Sequence, residues 1–138
     1  MKKFLFAICL TLLLSGNSWA LDDSAVTVEV LAKTTSSWNV ATLPSYLTGQ
    51  PEVTIQKISI PPHVQLPLHQ HPVINAGVLL QGELTVVTNE GKTHHLEAGD
   101  PIVEVVNTWH YGINEGDGPA EIIVFYAGIQ DEPVTTKE

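Results

Sequence analysis

Short runs of β-branched and aromatic residues, separated by turn residues, make up most of the chain after about residue 25. Eight such runs predict strands, over residues 25–31, 53–60, 76–80, 83–88, 93–96, 102–106, 109–113 and 120–126. Turn sequences such as Asn89-Glu90-Gly91 separate them at intervals of about 8–12 residues, a spacing typical of all-β sandwiches and barrels. No segment keeps a helical period over three turns. We therefore predict a single all-β domain.

The first twenty residues have the pattern of a secretory signal peptide. Lys2 and Lys3 precede an apolar run over residues 4–14, and Ser18 and Ala20 occupy the −3 and −1 positions of a cleavage site. The alternative is an uncleaved anchor helix, but this run is too short to cross ~30 Å of hydrocarbon. We expect cleavage after Ala20 and a periplasmic or secreted mature protein with no membrane-bound part.

The remaining chain divides by composition into three parts. Residues 21–52 combine the first predicted strand with a polar, turn-rich arm that Trp38 and Tyr46 could pin to the body of the domain. Residues 53–128 contain the other predicted strands and form the expected barrel. Residues 129–138 are mostly polar and are predicted to be a flexible tail.

The charge balance narrows the choice of partners. The chain has 6 Lys and Arg residues against 15 Asp and Glu residues, a formal net charge of −9, and none of the six is arginine. Phosphate contacts need a basic surface, so nucleic acid is not an expected partner. The chain has a single cysteine, Cys9, and one cysteine cannot form a disulfide framework within the chain. Cys9 also lies in the predicted signal peptide.

Three of the six histidines are placed so that they could share a site. His69 and His71 are two residues apart, so on a strand both side chains point to the same face. His110 belongs to a separate predicted strand, which a barrel could bring opposite this pair. Three neutral imidazoles in a barrel mouth are suitable ligands for a divalent metal. His94 and His95 are adjacent, so they cannot both enter one pocket.

The spacing of these histidines resembles the two motifs of the cupin superfamily. The first motif is H-x-H followed by Glu and Gly, and the second begins with Gly and ends in H-x-x-x-N. The residues at the motif positions are His69, His71, Asn75, Gly82, Gly99, His110 and Asn114. The resemblance implies a small jelly-roll β-barrel with a pocket at its mouth. The chain departs from the pattern at Asn75, which stands where cupins typically have the glutamate.

The resemblance also implies a cofactor. Cupin sites typically hold a metal with two histidines and the glutamate of motif one and the histidine of motif two. We therefore expect one divalent transition metal (iron, manganese, nickel, copper or zinc) on His69, His71 and His110. Asn75 is neutral, and it is expected to be a weak or absent ligand.

Glu104 is a candidate catalytic residue because it is the lone charge in the apolar sequence of residues 102–106. Pointing inward, it could replace the missing carboxylate or serve as a general base. Pointing outward, it would be solvated. Asn107 and Thr108 interrupt the alternation of faces between Glu104 and His110. The orientation of Glu104 therefore cannot be inferred from that of His110, and both orientations stay open. We favour the solvated one, because charged residues are seldom buried.

Two functions are consistent with these residues. The first is a metal-dependent enzyme acting on a small molecule, of the dioxygenase, isomerase or decarboxylase type that the resemblance suggests. The second is a non-catalytic module that binds a small ligand in the same pocket. We also expect a homodimer, because the predicted strand over residues 25–31 lies outside the barrel and could pair between subunits.

Overall fold

The computed structural model describes residues 26–138, and these form strands, turns and loops without any helix. The nine strands are β1 Pro51–Ile60, β2 His69–Gln70, β3 Ile74–Gln81, β4 Glu83–Thr88, β5 Thr93–Glu97, β6 Pro101–Val103, β7 His110–Ile113, β8 Ala120–Ile129 and β9 Thr136–Lys137. The prediction of an all-β jelly-roll barrel is confirmed. The predicted signal peptide and its cleavage site lie outside the described residues.

The strands form two antiparallel sheets that pack face to face. One sheet has the order β1-β8-β3-β6, and the other has the order β5-β4-β7-β2-β9. The longest pairing joins β1 to β8, from Pro51 opposite Ile129 to Ile60 opposite Ala120. Strands far apart in sequence are therefore neighbours in space, which brings β2, β7 and β9 together at one end of the barrel.

The core follows from the alternation of buried and half-buried residues along the strands. In β4 the buried positions are Leu84, Val86 and Thr88, and in β8 they include Ile122, Val124 and Tyr126. The buried hydrophobic cluster takes side chains from both sheets: Ile60, Val73, Leu79, Leu84, Val86, Leu96, Ile102, Ala120, Ile122, Val124 and Tyr126. These inward-facing side chains also form the wall of the cavity described below.

The strand predicted for residues 25–31 is not formed over its described part, residues 26–31. Val28 is 86% exposed, and its neighbours Val26 and Val30 are also exposed. The β-branched pattern expresses a preference for a pleated, half-buried surface, and no strand within residues 26–138 lies beside this segment. The pattern alone could not show that.

The C-terminal residues do not form the flexible tail predicted for residues 129–138. Strand β8 continues to Ile129, and β9 pairs with β2, with Lys137 opposite His69 and Thr136 opposite Gln70. A two-residue strand carries no recognisable periodicity, so the sequence could not reveal it. The pairing places the tail directly beside two of the predicted site histidines.

The N-terminal arm is fixed to the barrel at Trp38, as its aromatic character predicts. The Trp38 backbone N–H donates to the carbonyl of Val103 at 2.9 Å, and a bridge between Ser36 and Thr42 closes a small loop around it. The Ser37 hydroxyl donates to the backbone carbonyl of Glu104 at 2.9 Å. The arm thus contacts β6 and the residue that follows it.

Within residues 26–138 there is no helix of the length and apolar character needed to cross a membrane.

Candidate metal centre

His69, His71 and His110 converge at one end of the barrel, as the spacing predicts. His69 in β2 lies directly opposite His110 in β7, and their ring centroids are 4.5 Å apart. His71 follows β2, and its ring centroid is 5.1 Å from those of both other histidines. One ring nitrogen from each histidine lies within 4.8 Å of those of the other two.

Backbone carbonyls fix the orientation of all three imidazole rings. The Nδ1 of His69 is 2.7 Å from the Pro67 oxygen, that of His71 is 2.8 Å from the Val134 oxygen, and that of His110 is 2.8 Å from the Thr108 oxygen. A carbonyl oxygen only accepts, so each Nδ1 carries the hydrogen. Each Nε2 then keeps its lone pair, and a metal-ligating histidine typically has this arrangement.

Burial keeps His69 and His71 in the neutral form that binds metals. Desolvation lowers the pKa of His71 to about 4, although its hydrogen bond to Val134 opposes the effect. Desolvation also lowers the pKa of His69, again against a backbone hydrogen bond. Both rings are therefore uncharged near neutral pH, and no proton has to leave before a cation binds.

Acidification should destabilise the metal-free protein through His71. The pKa of His71 is about 4 in the folded state against a reference value of 6.5. Between these values the unfolded state binds more protons, so the free energy of unfolding is highest above about pH 6.5 and falls as the pH drops towards 4. The full effect is on the order of 3 kcal/mol, because one pKa unit corresponds to about 1.4 kcal/mol.

Urea unfolding with a chelator present, at neutral pH and at about pH 5, measures this effect. His71→Gln should show a smaller fall in the free energy of unfolding than wild type, because it removes the titrating group. His63→Gln is the matched control, since the His63 side chain is 65% exposed. An equal fall in wild type and His71→Gln would contradict the prediction.

Asn75 faces the same space from the opposite sheet. It lies in β3 directly opposite Tyr126 of β8 and is only 3% exposed. Its side-chain amide donates to the Val73 carbonyl at 3.4 Å, a long hydrogen bond that holds the group loosely. The residue at the motif glutamate position is thus inside the barrel, but it brings no charge.

Glu104 points into the barrel, so the favoured expectation that it is solvated was wrong. The residue is 8% exposed, and its Oε1 accepts hydrogen bonds from the Trp38 indole N–H at 2.8 Å and the Val105 backbone N–H at 2.9 Å. Its Oε2 lies 3.9 Å from the Nε2 of His110. The carboxylate is therefore held by one oxygen and presents the other to the histidines.

The register of β3 and β6 explains where this carboxylate sits. Ala76 pairs with Val103, and the Glu104 backbone N–H donates to the Asn75 carbonyl at 3.1 Å, so Asn75 and Glu104 are cross-strand neighbours. The chain then turns at Asn107, whose φ of 51° lies in the left-handed region that asparagine tolerates. Strand β3 has no carboxylate at Asn75, but the Glu104 carboxylate lies on the neighbouring chain segment, directly after β6.

Three further side chains complete this end of the barrel, and the sequence did not single them out as ligand contacts. Tyr126 is 2% exposed, with its ring centroid 5.4 Å from that of His71, and burial raises the pKa of its phenol. The Thr135 hydroxyl lies 3.1 Å from the Nδ1 of His71. Lys137 lines the same cavity from β9. Thr135 and Lys137 belong to the C-terminal tail, and the pairing of β9 with β2 positions them at this end of the barrel.

The donor set suits a divalent transition metal. Two ligands at about 2.0–2.1 Å from a tetrahedral ion are roughly 3.4 Å apart, and the three imidazole nitrogens already lie within 4.8 Å of one another. The Oε2 of Glu104 lies at a similar distance from His110. Small side-chain movements would bring the three nitrogens to a common centre. The Glu104 carboxylate stands outside this group of three and faces it from the His110 side.

The site opens into a cavity of about 460 Å³ inside the barrel. Its lining includes the three histidines, Asn75 and Glu104. His94 stacks on Trp38 with ring centroids 5.4 Å apart, and His95 is exposed, so neither histidine contributes to the lining. The predicted pocket at the barrel mouth is thus present, and it contains every residue that the sequence singled out as a ligand.

Comparison with protein families agrees with this geometry. The family model described as "Cupin domain" matches residues 56–126, which include both histidine motifs and the strands between them. The chain belongs to the cupin superfamily. In this cupin, the site histidines occupy the motif positions, and the typical glutamate is replaced by Asn75.

Solved structures show the same fold. The cupin aligns with a double-stranded β-helix protein of Klebsiella pneumoniae at a TM-score of 0.54 and 20% identity, over 69% of this chain and 88% of that chain. Oxalate decarboxylase of Lactobacillus farciminis aligns at 0.54 and 24% identity, over 62% of this chain and 26% of that chain. DMSP lyase DddQ of Ruegeria pomeroyi aligns at 0.52 and 20% identity, over 62% and 42%. None of the curated proteins matches this cupin significantly.

Proposed function

We propose that this cupin is an exported protein that binds one divalent transition metal and acts on a small molecule inside its barrel. The observation that carries the proposal is the convergence of three histidines whose Nδ1 atoms are all engaged by backbone carbonyls. This arrangement leaves three Nε2 lone pairs directed at one place. Such preorganisation is what a metal site requires of its outer partners.

The proposed ligands are His69, His71, His110 and Glu104. Asn75 is the weaker candidate, because it is neutral and because a charged carboxylate stands beside it. With Glu104 bound, a divalent ion keeps a formal charge of +1 instead of +2, so a buried excess of charge is reduced. The set of three nitrogens and one carboxylate oxygen suits iron, manganese, nickel, copper and zinc.

The proposed activity is metal-dependent catalysis of the dioxygenase, isomerase or decarboxylase type. A bound metal would act as a Lewis acid and leave positions open for a substrate. The chain's own residues would hold the substrate in the barrel and exclude water from it. Glu104 is the residue proposed to matter for catalysis, since it is the buried carboxylate that faces the histidines.

The second candidate function is a non-catalytic small-ligand-binding module. It is favoured by the cavity wall beyond the histidines, which consists largely of aliphatic side chains that offer no proton donors or acceptors. Such a wall can bind a ligand without contributing to a reaction.

Turnover and thermal shift, measured on the same panel of catechol-like, flavonol-like and dicarbonyl compounds, separate the two functions. Turnover that requires metal and disappears in His110→Ala supports the enzyme. A thermal shift without turnover of any compound supports the binding module. Equal behaviour of metal-loaded and metal-free protein towards every compound would contradict both, because each places the ligand at the metal.

Export is part of the proposal and rests on the sequence of residues 1–20. The protein isolated from a bacterial periplasm should begin at Leu21, which intact-mass measurement can establish. A protein that keeps residue 1 and stays in the cytoplasmic fraction would contradict export.

We also propose that the protein is a homodimer, formed through the outer face of the sheet that contains β1. That face exposes Val53 at 70%, Ile55 at 57% and Phe125 at 45%, and Ile55 lies directly opposite Phe125. Strand β1 is also an edge strand of ten residues, and long, flat, hydrophobic edges are usually covered. The exposed valines of residues 26–30 could pair with such an edge in a second copy.

Light scattering of wild type at micromolar concentration should therefore give about twice the monomer mass, and Ile55→Glu should give the monomer mass because it buries a charge in the interface. Val64→Glu is a control, since Val64 lies in the connection between β1 and β2 and is already 38% exposed. A monomeric wild type would overturn the homodimer.

A further inference from the structure

We infer that the ligand of this cavity is a small monoanion with an aliphatic body, whose anionic group binds at the metal beside Lys137. This inference rests on the proposed function and adds the chemical class of the ligand. It is carried by the order of the cavity's side chains along the barrel and by the single cation that the C-terminal tail supplies.

The cavity wall changes from polar to aliphatic along the strands. On β8 the inward side chains run from Tyr126, beside His71, to Val124 and then to Ile122. On β7 the inward position after His110 is Gly112, which lies opposite Val86. Beyond the histidines the main lining residues are Ile58, Leu84, Val86, Ile102, Ile122 and Val124. The polar Gln56 also lines this part of the cavity, and it is uncharged.

Gly112 lets aliphatic side chains pack directly next to the histidines. A Cβ atom at this position would meet the Leu84 Cδ1 at 3.3 Å and the Leu66 Cδ1 at 3.6 Å, so both leucines lie over the glycine. The aliphatic part of the cavity therefore begins beside His110. The ligand body is accordingly expected to be apolar and longer than one or two carbons.

Lys137 gives this end of the cavity its positive charge. It lines the cavity from β9, opposite His69, and its side chain also reaches solvent. Among residues 26–138 it has no carboxylate within 4.0 Å, whereas Lys57 on the outer face pairs with Glu121 at 2.7 Å. Lys137 is therefore available as an ion-pair partner for a ligand carboxylate or enolate.

The same residues disfavour other ligand classes. A phosphate ester carries close to two negative charges, and the chain has no arginine to bind it with two parallel hydrogen bonds. A sugar would leave its hydroxyl groups unpaired against the aliphatic wall. A two-carbon dicarboxylate such as oxalate would leave that wall empty. An aliphatic monoanion matches the positively charged end of the cavity with its anionic group and the aliphatic end with its hydrocarbon body.

The test uses the full chain loaded with Zn²⁺ and measures its metal content before any ligand is added. Calorimetric titration then compares butanoate, hexanoate and octanoate with their primary amides and with oxalate. We expect affinity to rise by roughly threefold per methylene group, in line with the free energy of burying a CH₂. We expect octanoate to bind at least about tenfold more tightly than octanamide, because only the carboxylate pairs with the cations.

Two variants locate the effect. Lys137→Gln should reduce the preference for octanoate over octanamide at least about threefold without changing metal content, as expected for the loss of one charge partner. Lys92→Gln, in the exposed β4–β5 turn, is the matched control and should leave the preference unchanged. Gly112→Ala should weaken octanoate binding more than butanoate binding, because the added methyl group would displace the Leu84 side chain, which also lines the cavity.

Tighter binding of oxalate than of octanoate, a flat response to chain length, or an unchanged preference in Lys137→Gln would each overturn the inference. A protein that takes up Zn²⁺ but binds anion and amide equally overturns the ligand class alone. A protein that takes up no metal overturns the proposed function and this inference with it.

Discussion

His110→Ala is expected to lower the affinity for divalent metal at least about a hundredfold, because replacing even an outer-shell partner typically costs 10–100-fold and this change removes a proposed ligand. His110 lies opposite His69 on the adjoining strand, and it is also the histidine nearest to Glu104. Its loss therefore removes the residue that connects the histidine group to the carboxylate. Competition with a chelating dye for Zn²⁺ or Co²⁺ measures the affinity.

Thermal unfolding gives an independent readout of the same change. At free metal about 100 times the Kd, binding adds about 2.7 kcal/mol to the stability of wild type, a shift in Tm of roughly 10 °C. The same metal concentration should move the Tm of His110→Ala by only a small fraction of this. His63→Ala is the control, because that side chain is largely exposed and lies outside the cavity. An affinity within about threefold of wild type in His110→Ala would contradict the three-histidine site.

Glu104→Gln is expected to reduce metal affinity by about 10–100-fold, the cost of losing a partner that orients or charges a metal site. Glutamine has the same shape, and its oxygen can still accept the hydrogen bonds from Trp38 and Val105. The change therefore removes the negative charge facing His110 while it keeps the packing. Asn75→Ala should have a smaller effect, because the amide is neutral and loosely held.

A carboxylate exchange makes this prediction sharper. Because Asn75 and Glu104 are cross-strand neighbours, the double variant Asn75→Glu/Glu104→Gln returns the carboxylate to the motif position. It should recover most of the affinity lost in Glu104→Gln. Trp38→Phe removes the indole N–H that holds Glu104, and a several-fold loss is expected from the loss of that hydrogen bond to a charged group. A Glu104→Gln variant with wild-type metal affinity would show that the carboxylate plays no part in binding.

The histidine site was predictable because its parts are local and repetitive. The spacing of two residues predicts that His69 and His71 share a face of an extended chain, and they do so although β2 ends at Gln70. The two motifs then supply the third residue, His110 in β7, and the turn at Gly99 that precedes β6. The strands β3, β4, β5 and β8 were predictable because each is a short run that lies between turn residues.

Glu104 could not be assigned because the alternation is interrupted on both sides of it. Strand β6 ends at Val103, one residue earlier, and Asn107 takes a positive φ before β7 begins. Which face a side chain adopts across such a break depends on the register with β3 and on the hydrogen bond from Trp38. Both are contacts between residues far apart in sequence.

The tail was missed for a related reason. Residues 134–138 have no apolar period, and their position depends on the open edge of β2. Once paired, they supply the carbonyl that orients His71 and the lysine beside His69. The opposite error occurred at residues 25–31, where a clear β pattern finds no partner strand within the described chain. In both cases the sequence does not show which sheet edge is free to pair with the segment. Only the tertiary structure shows that.

We propose that one divalent transition metal occupies the barrel at His69, His71, His110 and Glu104. Elemental analysis of the protein isolated from its native compartment, followed by metal titration, measures this occupancy. Wild type should contain about one equivalent of a divalent transition metal, and His110→Ala and Glu104→Gln, measured in parallel, should contain clearly less. Less than about a tenth of an equivalent in wild type, with no uptake on titration, would contradict it.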